Sequence, residues 1–226
     1  RRVLFRSLTI LRNLFRNAVE HAAPARCVVR YADGAIEVVD DGPGIAPADL
    51  ERVFDRFFQF TLHHMRAWAA TSVEVIIQHD DFVWTSGAFM SPEMYRKVII
   101  PRFTELWRPL RAAGKKVLFC SDGNFMEFAE DVVAAGADGL IFEPCNDFGF
   151  MVERFGQSTV LVGSYVDCRD LAFSPWEVVR EQMDRTFAAA KRCRGMIFAV
   201  GNHMPANIPA SMMDRFIEYL QANWQR

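Results

Sequence analysis

Residues 114–144 read GKKVLFCSDGNFMEFAEDVVAAGADGLIFEP, and this stretch decides the fold. It holds two short apolar runs, at 116–119 and 139–142, which predict strands. Between them, residues 125–135 have the apolar spacing of a helix, and Gly136 stands where that helix should stop. A tight turn can join only antiparallel neighbours, and parallel strands need a longer connection, which is usually a helix. The stretch therefore predicts one β-α-β unit.

The same alternation continues on both sides of this unit. Further strands are predicted at 73–77, 159–162 and 196–200, and further helices at 92–113, 148–155, 175–191 and 209–223. Ser91, Asn124 and Ser174 stand at expected N-cap positions, and Gly114 at a helix stop. Five consecutive β-α units predict an α/β fold with a parallel sheet buried on both faces, which is either part of a barrel or a doubly wound sheet.

Composition excludes several classes of protein. The 226 residues include 26 basic and 28 acidic side chains, and 51% are apolar, which is ordinary for a globular protein. No window holds the roughly 18 uninterrupted apolar residues of a membrane-spanning helix. The near-neutral charge argues against nucleic acid as the partner. Five cysteines at irregular spacing form no disulfide framework, so we expect reduced thiols in the cytoplasm.

The pattern of elements changes near residue 60. The earlier part predicts a helix at 8–22, two β-type runs at 27–31 and 35–39, and a short helix at 47–57. Asp33 and Gly34, between the two runs, are a strong hairpin signal. We therefore predict two domains, 1–60 and 61–226.

Three strings in the first domain carry a resemblance: LRNLFRNAVEH at 11–21, VVDDGPGI at 38–45 and RVFDRFF at 52–58. In this order they resemble the asparagine, first glycine and phenylalanine boxes of the ATP-binding domain of sensor histidine kinases. The resemblance implies that Asn17 holds magnesium, that Asp40 binds adenine, and that Gly42 and Gly44 let the backbone approach ATP. The alternative is a polar helix face followed by a turn. Because the family's second glycine box does not follow, we expect no tight ATP binding.

Polar side chains follow every predicted strand of the second domain. They include His79, Asp80 and Asp81; Cys120 and Asp122; Glu143 and Cys145; Tyr165 and Asp167; and His203. Parallel β-α arrays place functional groups beyond the carboxyl ends of their strands. A cleft along this rim is therefore the predicted site.

The second domain also contains longer strings that resemble one family. IIQHDDFVWTSGAFMSPEMYRKVIIPRF at 76–103, GKKVLFCSDGN, AGADGLIFEP and AVGNHMPANIP at 199–209 resemble the uroporphyrinogen decarboxylase superfamily. It includes the decarboxylase, a lyase of porphyrin biosynthesis, and zinc-dependent methyltransferases that act on corrinoid proteins. The resemblance implies an incomplete (β/α)8 barrel of TIM type with about five units, and a tetrapyrrole substrate or a corrinoid protein partner.

Four residues are catalytic candidates on this resemblance: His203, Asp80, Asp81 and Tyr165. The family's decarboxylases keep a histidine near the place of His203. Asp80 and Asp81 either bind substrate or cap the following loop. The decarboxylase reaction is expected to need no cofactor.

The methyltransferases of the superfamily bind zinc through a His-x-Cys pair and a later Cys. The matching places here hold Cys120 with Asp122, and His203. Thiolate, carboxylate and imidazole all bind zinc, so the resemblance allows a zinc site that activates a substrate thiol. The alternative for Cys120 is a small apolar residue at a strand end.

Both resemblances stop at a join between residues 58 and 64, where no Gly, Ser or Pro linker stands. The first seven residues, RRVLFRS, resemble a translated sequencing adapter, and the alternative is an arginine-rich helix start. We therefore predict a chimeric, truncated chain that is inactive as written. Its open strand edges would favour a homodimer or aggregation.

Overall fold

A computed structural model describes the chain at residues 27–32, 35–40, 47–201 and 203–224. The chain divides into two compact units at Gln59 and Phe60. In the first unit, β1 (Cys27–Ala32) and β2 (Ala35–Asp40) pair antiparallel, with Cys27 opposite Asp40. The predicted hairpin is confirmed, while Asp33 and Gly34 lie outside the described residues.

Helix α1 (Pro47–Ala69) begins where a helix was predicted but continues well beyond residue 57. Apolar residues keep their helical spacing through the second half of the helix, where Leu62 and Met65 are buried. The helix ends before Thr71, whose hydroxyl donates a 2.8 Å hydrogen bond to the carbonyl of Trp68. The expected join at 58–64 therefore lies inside one continuous helix.

The second unit contains a sheet of five parallel strands, whose spatial order equals their order in the chain. The strands are β3 (Val75–His79), β4 (Lys116–Ser121), β5 (Gly139–Phe142), β6 (Val160–Gly163) and β7 (Met196–Phe198). All five predicted strands are confirmed, with small shifts at their ends. This α/β arrangement is consistent with part of a TIM-type barrel. Among the described strands, β3 and β7 have one neighbour each.

Helices connect and cover these strands. They are α2 (Pro92–Met94), α3 (Ile100–Ala112), α4 (Ala129–Ala135), α5 (Phe148–Phe155), α6 (Cys168–Phe173), α7 (Trp176–Ala190) and α8 (Ala210–Asn223). A π-helical turn, Tyr95–Ile99, joins α2 to α3, and a 3-10 turn, Met126–Phe128, precedes α4. Within the described residues, no helix combines the length and apolar character needed to cross a bilayer.

The helix ends test the predicted caps. Ser91 caps α2, since its hydroxyl accepts a hydrogen bond from the Met94 amide, and Gly136 ends α4 with a φ of 119°. The cap predicted at Ser174 is wrong, because Pro175 occupies the N-cap position of α7 and the Ser174 hydroxyl instead bonds to Asp170 at 2.6 Å.

The two faces of the sheet differ in burial. On the helix-covered face, Val117, Phe119 and Leu140 are fully buried. The opposite face is apolar but open, with Ile77 57% and Ile197 53% exposed. The prediction of burial on both faces therefore holds for one face only among the described residues.

Candidate active site at the carboxyl rim of the sheet

The polar residues after β3 and β4 meet because of the register of these strands. His79 lies opposite Cys120 in the β3–β4 pair, and Cys120 lies opposite Ile141 of β5. The residues that follow each strand therefore stand side by side at one rim, as the sequence predicts. The amide of Asp122 donates a 3.3 Å hydrogen bond to the carboxylate of Asp81, which ties the two loops together.

His79, Asp81 and Asp122 form a compact group of metal-type ligands. The His79 Nε2 atom is 2.9 Å from Asp81 Oδ1 and 3.9 Å from Asp122 Oδ1. All three ligand atoms lie within 4.8 Å of one another. Imidazole and carboxylate together suit a divalent ion such as Zn²⁺. These residues fit a metal, and the group shares Asp122 with the predicted zinc set of Cys120, Asp122 and His203.

Burial and neighbouring charges raise the pKa of two side chains at this rim, Asp80 and Cys120. Asp80 is partly buried, and its pKa is raised by burial and by the charge of Asp81, while His79 opposes the rise. Burial, followed by the charges of Asp122, Asp81 and Glu143, raises the pKa of Cys120 to about 11. Asp80 and Cys120, whose pKa values are both raised, thus lie at the carboxyl ends of neighbouring strands.

A buried hydrogen-bond network fixes the loops after β4 and β5. The amide of Gly123 donates a 2.8 Å bond to Glu143 Oε2. Asn146, only 1% exposed, donates from Nδ2 to the carbonyls of Gly123 and Glu143 and accepts from the amide of Phe125. The sequence pattern does not reveal this role of Asn146, because its partners in the other loop, the backbone groups of Gly123 and Phe125, are distant in the chain.

His203 lines a cavity of about 430 Å³ at the same end of the sheet. Its other polar lining residues include Thr85, Glu143, Cys145, Asp167, Cys168 and Arg169. Asp167 receives bonds of 2.7–3.1 Å from the Arg169 guanidinium, which lowers the pKa of Asp167. Burial raises the pKa of both thiols, Cys145 and Cys168. Cys168 and Arg169 are not among the predicted site residues, because Cys168 has no partner at a metal-ligand spacing in the sequence and α6, which carries both, was not predicted.

Tyr165 does not line this cavity. Its ring packs edge-on against Phe148, with centroids 4.8 Å apart, and the Arg185 guanidinium lies 4.1 Å from its centroid. A larger cavity of about 980 Å³ lies beside β7, lined by residues such as Phe187 and Trp224. That cavity contains none of the predicted site residues, so the chemistry of the rim, not cavity size, identifies the candidate site.

Most residues of the predicted ATP and magnesium site lie outside the part of the chain that the structure describes. Asn17, Gly42 and Gly44 lie outside the described residues, as does the adapter-like segment 1–7. Asp40 is the last residue of β2. The kinase resemblance therefore stays a prediction.

Residues 45–222 match the family model for uroporphyrinogen decarboxylase (URO-D). The chain belongs to the uroporphyrinogen decarboxylase family. The match begins before the expected join and includes the RVFDRFF string at 52–58.

Curated proteins named uroporphyrinogen decarboxylase are similar to this chain. The protein of Carboxydothermus hydrogenoformans is 25% identical over 175 residues, which cover 76% of this chain and 47% of the relative. That of Alkalilimnicola ehrlichii is 25% identical over 168 residues, covering 72% and 44%. The chain spans about half the length of these URO-D relatives.

Proposed function

We propose that the rim is the substrate site of a tetrapyrrole decarboxylase, in keeping with the URO-D family. The observation that carries the proposal is Asp80, a partly buried carboxyl group at the end of β3 whose pKa is raised. The relatives' name supports the reaction class.

Decarboxylation of a substrate acetate group requires a proton donor. The bond between the methylene carbon and the carboxylate carbon breaks, CO2 leaves, and the electron pair stays on the methylene carbon. A proton must then form the new C–H bond, and burial raises the pKa of the Asp80 carboxyl group, which favours its proton-bearing form. Asp80 supplies this proton in the proposed reaction, and water reprotonates it.

The neighbouring carboxylates have a binding role in this proposal. Asp81 and Asp122 are both partly solvent-accessible and close to one imidazole. Ionised carboxylates are acceptors, so they suit the N–H groups of pyrrole rings. His203 contacts a substrate side chain from the adjoining cavity. Tyr165 stays a catalytic candidate on sequence grounds.

An anaerobic titration with uroporphyrinogen tests the proposal. We expect binding by the wild-type chain, weakened roughly 10-fold or more in Asp81→Asn through the loss of a charged acceptor. Any CO2 release should fall at least about 100-fold in Asp80→Asn and be retained in Asp214→Asn, an exposed control on α8. A folded wild-type chain that does not bind the porphyrinogen contradicts the proposal. The sequence predicts that this chain is inactive, and the same assay tests that prediction. CO2 release by the wild-type chain would contradict it.

A second candidate function is zinc-dependent methyl transfer with a corrinoid protein. The group formed by His79, Asp81 and Asp122 beside Cys120 favours it. Zinc, when bound, would lower the pKa of a substrate thiol and so make it a nucleophile. His79 and the two carboxylates would hold the ion, with Cys120 or His203 as a further ligand.

Cobalt(II) substitution tests this candidate without any activity assay. We expect visible absorption bands on titration with Co²⁺, lost in His79→Ala and retained in His63→Ala, a control on the exposed face of α1. A thiolate-to-cobalt band that disappears in Cys120→Ser would add Cys120 to the ligands, and a loss in His203→Ala would add His203. Absence of metal binding by the wild-type chain excludes this function.

A further inference from the structure

Two aromatic side chains stand exposed on the loop after β3. Trp84 is 66% exposed and Phe89 is 47% exposed. Their ring centroids lie 5.8 Å apart with an interplanar angle of 33°. Side chains of this size usually bury most of their surface, so an exposed aromatic pair indicates a binding function.

Several hydrogen bonds fix the backbone of the loop that carries this pair. Trp84 and Gly87 exchange two hydrogen bonds of 2.8 Å, and the amide of Asn124 donates to the carbonyl of Trp84 at 2.9 Å. The amide of Phe89 donates to the hydroxyl of Tyr95 at 3.4 Å.

Buried residues complete this support. Tyr95 is fully buried and donates its hydroxyl to the carbonyl of Phe82 at 2.5 Å. The residues just before Trp84, Phe82 and Val83, are also buried. The pair therefore stands on a fixed backbone, and its exposure does not arise from a loosely attached loop.

The pair adjoins the candidate active site. Thr85, the residue after Trp84, lines the cavity that contains His203. On its other side, Trp84 contacts the loop that begins with Asp122, since its carbonyl accepts the bond from Asn124. The loop that carries the pair therefore borders both the cavity and the loop that begins with Asp122.

We propose that Trp84 and Phe89 bind the flat face of a substrate pyrrole ring by stacking. This inference rests on the proposed function, because the pyrrole rings of a tetrapyrrole offer both flat faces for the aromatic pair and N–H donors for Asp81 and Asp122. Stacking selects for flat, conjugated or pyrrolic rings, whereas the carboxylates alone would also accept an ordinary amine or a cation.

The test is a binding titration of the full chain with uroporphyrin and, separately, with hydroxocobalamin, both followed by absorbance. We expect Trp84→Ala and Phe89→Ala each to weaken uroporphyrin binding about 10-fold, while Trp84→Phe stays within about 3-fold of the wild type. The matched control is Trp68→Ala, which removes another exposed tryptophan near the end of α1. It should leave the affinity unchanged. Circular dichroism and the melting temperature check that each variant folds.

The outcomes separate this inference from the proposed function. If uroporphyrin binds equally to the wild type and to Trp84→Ala, the stacking role is wrong and the proposed function stands. If only hydroxocobalamin binds, the decarboxylase function fails and the stacking role fails with it, because axial ligands on the cobalt cover both faces of the corrin. If neither probe binds the wild type, or if Trp84→Ala changes only self-association in sedimentation, the stacking role is overturned.

Discussion

The backbone of Gly123 lies so close to the carbonyl group of Trp84 that a Cβ atom at this position would be 2.8 Å from its carbon and oxygen. The φ of Gly123 is +86°, which is also unfavourable for other residues. The loops after β3 and β4 are therefore packed backbone to backbone, and this contact sets the spacing of the rim.

Gly123→Ala should lower the free energy of unfolding more than Gly114→Ala. Gly114 also has a positive φ, +75°, but nothing lies within 4 Å of its missing Cβ. Its substitution should cost only the backbone strain, about 1–2 kcal/mol. Gly123→Ala adds displacement of the Trp84 loop, about 1–3 kcal/mol more. Urea denaturation measures both, and equal losses would show that the two loops separate without cost.

Asn146→Ala should destabilise the chain by about 3 kcal/mol, because it leaves buried backbone groups of both rim loops without their hydrogen-bond partner. Asn223→Ala removes one exposed bond, to the carbonyl of Tyr219 at 2.9 Å, and should cost less than about 1 kcal/mol. Chemical denaturation of the two variants compares these losses. A small loss for Asn146→Ala would mean that water replaces the amide group.

Asp80 should make stability fall as the pH rises. Its pKa in the folded chain is raised above the ordinary value, so the folded state binds the proton more tightly than the unfolded state. The stabilisation is fully present below the unfolded pKa and is lost as the pH passes through the folded pKa. Melting temperatures between pH 4 and pH 7 should therefore fall less in Asp80→Asn than in the wild type. A parallel pH profile in both proteins would refute this prediction.

The Cys120 thiol should react slowly with iodoacetamide at pH 8, since a pKa of about 11 leaves little thiolate. Asp122→Asn removes one of the negative charges that raise this pKa and should accelerate alkylation of Cys120. Peptide mass spectrometry distinguishes Cys120 from the other cysteines. Glu130→Gln, a change on an exposed ion pair with Arg154, is the control. A rate unaffected by Asp122→Asn would show that burial alone protects the thiol.

Much of the second unit could be predicted from the sequence, because short apolar runs between helix caps locate buried strands regardless of their neighbours. The helices were harder to predict than the strands. The length of α1 was underestimated because the change in the pattern of elements near residue 60 was interpreted as a boundary, although the helical spacing of apolar residues continues to Met65. Helix α6 was missed because it is only six residues long.

The candidate site could be predicted only in part. Strand ends indicated which loops carry His79, Asp80, Asp81 and Asp122. Which of these side chains meet depends on strand register, here His79 opposite Cys120, and register is not encoded locally. The role of Asn146 depends on backbone groups in another loop, which no pattern of side chains reveals.

The order of the strands has a consequence for how the sheet forms during synthesis. Each strand from β4 to β7 pairs with the strand that precedes it in the chain, so no strand of this sheet has to wait for a distant partner. Pairings between neighbours in sequence keep the loops to be closed short, which favours rapid folding. As the ribosome releases each β-α unit, that unit can join the edge left by the previous one, and the sheet grows in the direction of translation.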